Sequence, residues 1–115
     1  MTPLKITAET APAADYLPPA DRIRAGVPRQ SVVDAYNSAD GKFSAGLWSG
    51  AVGRWRVAYT EHELCHLLEG EVVLYGDDGS VARYGAGDSF VVPAGFNGEW
   101  EVVSAARKLY AIYQP

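Results

Sequence analysis

The sequence predicts an all-β protein, a small antiparallel barrel, and three observations carry that prediction. Short apolar segments recur from Lys42 onward, separated every few residues by glycine or proline. Asp77-Asp78-Gly79 is the strongest hairpin signal, because Asp and Gly accept the positive φ that tight hairpin turns demand. A second glycine-rich block, Gly85-Ala-Gly-Asp88, leads into an apolar run that ends at Pro93-Ala-Gly95. Many short strands with Gly/Pro turns indicate a sandwich or barrel.

Taken in order, residues 1–40 read as an N-terminal arm and edge segment, and 41–115 as the barrel of a single domain. Pro12, Pro18, Pro19 and Pro28 oppose continuous helix or central strand. The arm is expected to be extended, with a short turn around Asp21–Ala25, and to lie along the barrel or reach a second subunit. Ser31–Asp40 is transitional, and Ala39-Asp-Gly41 is a turn. Strands are then expected at Phe43–Ser49, Arg54–Tyr59, Glu63–Leu68, Glu71–Tyr75, Val81–Tyr84, Ser89–Val92, Glu99–Val103 and Arg107–Tyr113. Gly70 is read as ending the strand that starts at Glu63.

Composition excludes several function classes. The chain of 115 residues has a net charge of −4 and no basic run, unlike a nucleic-acid surface. No apolar stretch reaches the roughly 18–20 residues that span a bilayer. The first 15 residues lack the apolar run of a secretory signal. Cys65 is the only cysteine, so no internal disulfide forms, which suits a reducing cytoplasm. Within an apolar strand Cys65 is expected to be an inert buried thiol. No phosphate-loop or nucleophile-elbow motif occurs.

Two blocks carry a family resemblance. Glu63-Leu-Cys-His-Leu-Leu-Glu-Gly-Glu-Val72 is similar to the second half of the first cupin motif, and Gly87-Asp-Ser-Phe-Val-Val-Pro-Ala-Gly-Phe-Asn-Gly-Glu-Trp100 to the second motif. The chain thus resembles the cupin superfamily of jelly-roll barrels. Within it, the chain resembles the single-domain cupins of unknown function grouped with ureidoglycine aminohydrolase and the ethanolamine-utilisation cupins. The resemblance covers about Phe43 to Tyr113 and implies a jelly roll and a homodimer. It also implies where a metal would sit: two His and a Glu from the first motif and one His from the second. Here only the Glu is present, as Glu63. Val57, Tyr59 and Gly98 fall at the His positions, and one carboxylate cannot hold a transition metal tightly. His62 and His66 share a strand face about 13 Å apart and cannot share an ion. Alternation puts them opposite to Glu63, so His66 is expected between sheets or at a subunit contact. Neither metal nor cofactor is expected.

The candidate site therefore begins with Glu63. A carboxylate facing an apolar barrel requires a partner. Lys108 on the last strand is the expected one, with Arg56 and Arg107 as alternatives, and the pair is either a structural ion pair or the centre of a ligand site. Placing Lys108 inward places Tyr110 inward too. Tyr59, Trp48, Phe96, Trp100 and Tyr110 are the candidate ligand-binding aromatics, and Tyr59 is expected to fill the vacant metal volume and hydrogen-bond to Glu63. Three functions fit. The first is a non-catalytic or accessory protein that binds a small polar metabolite. The second is a metal-independent enzyme of small nitrogenous metabolites, with Glu63 as acid/base and Lys108 or Tyr59 orienting the substrate. The third is a degenerate metalloenzyme that retains Glu63.

Overall fold

The computed structural model describes residues 1–115 and contains nine strands and one turn of 3₁₀ helix. The strands are β1 (Ala14–Tyr16), β2 (Ile23–Gly26), β3 (Gln30–Asn37), β4 (Phe43–Gly50), β5 (Gly53–Ala58), β6 (His62–Gly76), β7 (Val81–Gly85), β8 (Ser89–Val92) and β9 (Asn97–Tyr113). The helical turn, Ala20–Arg22, precedes β2 and overlaps the start of the region where sequence places a turn. No helix is long and apolar enough to cross a membrane.

Every pairing is antiparallel, and the order β1-β3-β4-β9-β5-β2 curls around the two longest strands. The first half of β6 pairs with β8 and the second half with β7, while β9 runs beside it along its whole length. This curled antiparallel arrangement is the jelly-roll architecture that the family resemblance implies. The core is a cluster of side chains inside the curl: Trp48, Trp55, Cys65, Leu67, Val72, Leu74, Phe90, Val92, Trp100, Val102, Ala106 and Tyr110.

Several expectations change: the strands expected at Glu99–Val103 and Arg107–Tyr113 are one continuous strand, β9, and Ile23–Gly26 of the arm is a strand paired with β5. Residues 30–37 form a full strand of the barrel, paired with both β1 and β4, rather than a transitional edge. Proline at 28 sits just before β3, where the missing N–H removes no ladder bond. Gly70 does not end its strand. It lies within β6 at a φ of +87°, where the register against β9 shifts. Between the Leu67–Lys108 and Val72–Val102 pairs β6 advances five residues and β9 six, so the inward parity of β6 switches, from Glu63, Cys65 and Leu67 before the irregularity to Val72 and Leu74 after it. The buried positions of β9 keep one parity throughout, from Trp100 and Val102 to Ala106, Lys108 and Tyr110.

Gly70 is required there for two reasons. Its φ lies in the left-handed region, and an added Cβ would stand 2.4 Å from the Ala105 carbonyl oxygen and 2.7 Å from Ala106 Cα. Gly70→Ala is expected to destabilise the barrel by about 2 kcal/mol or more, combining left-handed strain with forced backbone separation. Urea unfolding measures it, and an unchanged midpoint would remove the bulge from the account of the fold.

Candidate functional site

The interior of the curl is not filled completely. A cavity of about 330 Å³ is lined by Tyr16 from β1, Gln30, Val32 and Asp34 from β3, and Ser44 and Trp48 from β4. Trp55, Val57 and Tyr59 close it from β5 and the loop after it, Glu63 from β6, and Trp100, Lys108, Tyr110 and Ile112 from β9. Strand alternation explains the set, since each strand contributes every second residue.

Glu63 and Lys108 lie at its centre, 6% and 5% exposed. Lys108 Nζ is 2.9 Å from Glu63 Oε2, and the Tyr59 hydroxyl donates to Glu63 Oε1 at 2.7 Å. Trp100 Nε1 donates to the Tyr59 oxygen at 3.0 Å, which closes a chain of Trp100, Tyr59, Glu63 and Lys108. The ammonium also faces two indoles, 4.3 Å from the Trp100 ring centre and 4.7 Å from that of Trp48. The alternative cations pair elsewhere on the surface: Arg56 grips Asp77 with two prongs, and Arg107 lies 3.3 Å from Glu69.

These surroundings set protonation. Burial alone lowers the Lys108 pKa, but the Glu63 carboxylate more than offsets it and holds the ammonium above its ordinary value. Burial, reinforced by Glu63, holds the Tyr59 phenol well above its usual range. Burial also pushes the Cys65 thiol up to about 12, so it stays a thiol. In each case the folded state keeps a proton that the unfolded chain releases from its ordinary pKa of 9.0, 10.0 or 10.5. Their stabilisation is therefore complete below about pH 9 and is lost as pH rises above it. The urea midpoint is expected to fall steadily between about pH 9 and pH 11, and a flat midpoint there would contradict these shifts.

Of the residues the sequence singles out, Glu63, Lys108, Tyr59, Trp48, Trp100 and Tyr110 all meet in the cavity. Phe96 does not. It packs edge-on against the Tyr59 ring at 6.1 Å and faces a separate cleft with Leu74, Ala82 and Tyr84. Its position after the Pro93–Gly95 turn points it behind Tyr59 rather than into the barrel. Gln30, Val32 and Asp34 are missed by sequence, because Gln30 fell at the end of the proline-rich arm and Val32 and Asp34 in the segment read as transitional. Their period-2 spacing was the available signal. Asp34 accepts from the Tyr110 hydroxyl at 2.9 Å and from Asn37 Nδ2 at 2.8 Å.

The positions where cupins place metal ligands do converge. Val57 and Gly98 are cross-strand partners on β5 and β9, with Tyr59 and Glu63 adjoining. The groups present do not fit a metal ion. Both Glu63 oxygens are engaged, one of them by an ammonium, and no group of three or more His, Cys, Asp or Glu side chains comes together. A Cβ at position 98 would lie 1.9 Å from the Tyr75 carbonyl oxygen, so no side chain enters there without moving the strand. The histidines lie on the outer face: His66 Nδ1 meets Ser89 Oγ at 2.8 Å, and His62 accepts the Ala94 N–H and stacks on Tyr113.

Comparison with known proteins agrees with this architecture. The chain is similar to a protein of unknown function from Pseudomonas syringae pv. tomato, with a TM-score of 0.80 and 24% identity. That match covers 89% of this chain and 44% of the Pseudomonas protein, so the chain spans less than half of that relative's length. It is similar to a putative ethanolamine utilisation protein Q from Salmonella typhimurium, with a TM-score of 0.66, 23% identity, and 74% and 69% of the two chains covered. It is also similar to the EutQ protein of Clostridium difficile, with a TM-score of 0.67, 16% identity, and 86% and 80% covered. At these identities the likeness is one of fold. No curated protein matches the chain. The model of the EutQ-like cupin domain matches residues 37–110, well over half of the chain, and ends at Tyr110, within the strand that carries Lys108 into the cavity. The chain belongs to the EutQ-like cupin domain family.

Proposed function

We propose that the barrel is a metal-independent binding site for a small polar metabolite and that the protein acts as a non-catalytic or accessory module. The observation that carries this reading is the cavity of about 330 Å³, with aromatic walls and a few fixed polar groups converging on it. Small-molecule sites have this size and this mixture of apolar lining with placed polar atoms. The protonation pattern favours binding over catalysis. Lys108 remains an ammonium, Tyr59 a phenol and Cys65 a thiol, so none of the three is poised to exchange a proton near neutrality.

The test uses the three indole N–H signals of Trp48, Trp55 and Trp100 in a ¹H–¹⁵N spectrum, since all three rings line the cavity. A panel of short amides, carboxylates, amines and polyols is titrated in. Saturable movement of the Trp48 and Trp100 signals by one chemical class supports the reading. No movement by any class removes it, and product formation without Glu63-independent turnover would return Glu63 to an acid/base role.

Self-association is part of the same proposal. The outward faces of β6, β8 and β9 carry Leu64, Val91 and Leu109, which are 50%, 60% and 37% exposed, and Leu64 is cross-strand to Val91. Apolar side chains grouped this way on a sheet face favour contact with another protein surface. A dimer is expected in analytical ultracentrifugation, and Leu64→Glu is expected to yield a folded monomer. A wild-type monomer at micromolar concentration would overturn this.

A further inference from the structure

Gln30 is the one buried side chain with an unengaged polar group. It is 6% exposed, and its Nε2 has no hydrogen-bond partner. Its orientation is dictated by Trp48, whose Nε1–H donates to Gln30 Oε1 at 2.9 Å. A flipped amide would set two donors face to face. The same indole N–H reaches the Tyr16 oxygen at 3.2 Å. Tyr16 and Gln30 are themselves cross-strand partners on β1 and β3. Two acceptors are thus directed at one N–H, and Gln30 and Tyr16, which both line the cavity, each keep a donor outside this bond, the Gln30 Nε2 being itself enclosed. Burial keeps the proton on Tyr16 by raising its pKa, only partly opposed by the Trp48 bond.

A buried donor left unpaired is unfavourable, and buried polar groups in native proteins find partners. What completes this one must bring an acceptor. Charge decides which kind. The Lys108 ammonium is neutralised by Glu63 at 2.9 Å, and Asp34 has only neutral donors, from Tyr110 and Asn37. The cavity lining therefore holds one carboxylate, the exposed Asp34, that no cation offsets, which disfavours an anionic acceptor, though less than a buried charge would.

We infer that Gln30 and Tyr16 form a specificity subsite for an uncharged carbonyl oxygen, so that the ligand is a small amide or similar neutral carbonyl compound rather than a carboxylate. This rests on the binding reading above and goes beyond it by naming the ligand class and the residue that selects it.

Propionamide and propionate, equal in shape and different in charge, are the probes, and the Trp48 indole signal is the readout. Propionamide is expected to shift it saturably and propionate at least about tenfold more weakly. Gln30→Glu keeps an acceptor for Trp48 and removes the donor, and it is expected to abolish the preference. Gln30→Met removes the donor without adding charge and is expected to weaken propionamide by about tenfold, with the thermal midpoint of each variant confirming that it folds. Equal or tighter binding of propionate overturns the inference. So does unchanged propionamide binding in both folded variants. If amines or polyols from the panel bind and amides do not, only this inference falls. If no compound moves any indole, the binding reading falls with it.

Discussion

Lys108→Met is expected to destabilise the protein by about 3–5 kcal/mol, the usual consequence of stranding a buried charge. In that variant Glu63, 6% exposed, keeps the Tyr59 hydroxyl but loses its only cation. Two carboxylate oxygens then stay in an aromatic interior with one donor between them. The double variant Glu63→Leu/Lys108→Met removes both charges, and most of the loss is expected to return, because well-packed apolar replacements of buried pairs are often neutral or stabilising. Tyr59 keeps the Trp100 N–H on its oxygen in that background, although its own hydrogen loses its acceptor. Urea unfolding of the wild type, both single variants and the double closes the cycle. A double variant whose loss equals the sum of the two single losses would mean that the two charges are not coupled. The pair would then be irrelevant to the barrel's electrostatics. Recovery, by contrast, would mean that the pair is retained for what it does to the cavity, not for stability.

Trp100→Ala is expected to lose a comparable amount, about 3–5 kcal/mol. The indole is 2% exposed and sits at the middle of an aromatic cluster, with ring centres 5.9 Å from Trp48, 6.1 Å from Trp55 and 6.0 Å from Phe90. Each such pair contributes roughly 0.5–1.5 kcal/mol beyond simple burial. The same ring supplies the N–H that fixes Tyr59 and one of the two faces over Lys108. Trp100→Phe retains most of the packing and none of the hydrogen bonding, so its smaller loss isolates the polar share. Thermal unfolding of both variants measures the split, and equal losses would assign the whole effect to the indole N–H.

Much of the site was legible because it lies on strands with clear alternation. Glu63 faces inward and the histidines outward by simple parity, and Lys108 brings Tyr110 with it. That three of the four usual ligand positions hold no histidine was legible from residue types alone, and Val57 and Gly98 are neighbours across β5 and β9. What escaped reading has physical causes. Gly70 looked like a terminator because glycine weakens strands, yet here it is a bulge residue that only the shape of β9 demands. Phe96 was placed by proximity to a motif, whereas a turn immediately before it decides its direction. Gln30 was hidden by prolines nearby and Asp34 by its place in a segment read as transitional, although a strand can follow Pro28 without conflict. Lys108 was identifiable as a partner, but its contact with two indole faces depends on long-range packing that no local pattern encodes.

The pairing of β6 with β9 runs unbroken in direction from His62 opposite Tyr113 to Gly76 opposite Gly98. Both halves of the barrel hang on those two strands, so there is no natural line along which part of it can open while the rest stays closed. The molecule should behave as one cooperative unit in hydrogen exchange, with its slowest amides on β6 and β9 exchanging together through global unfolding. Pairings so distant along the chain also make for slow folding, on the millisecond-to-second scale of β-rich domains. Occupancy of the cavity is then not a local event. A ligand at a hundred times its dissociation constant adds about 2.7 kcal/mol to the whole unit, and the protection of β6 and β9 rises as one.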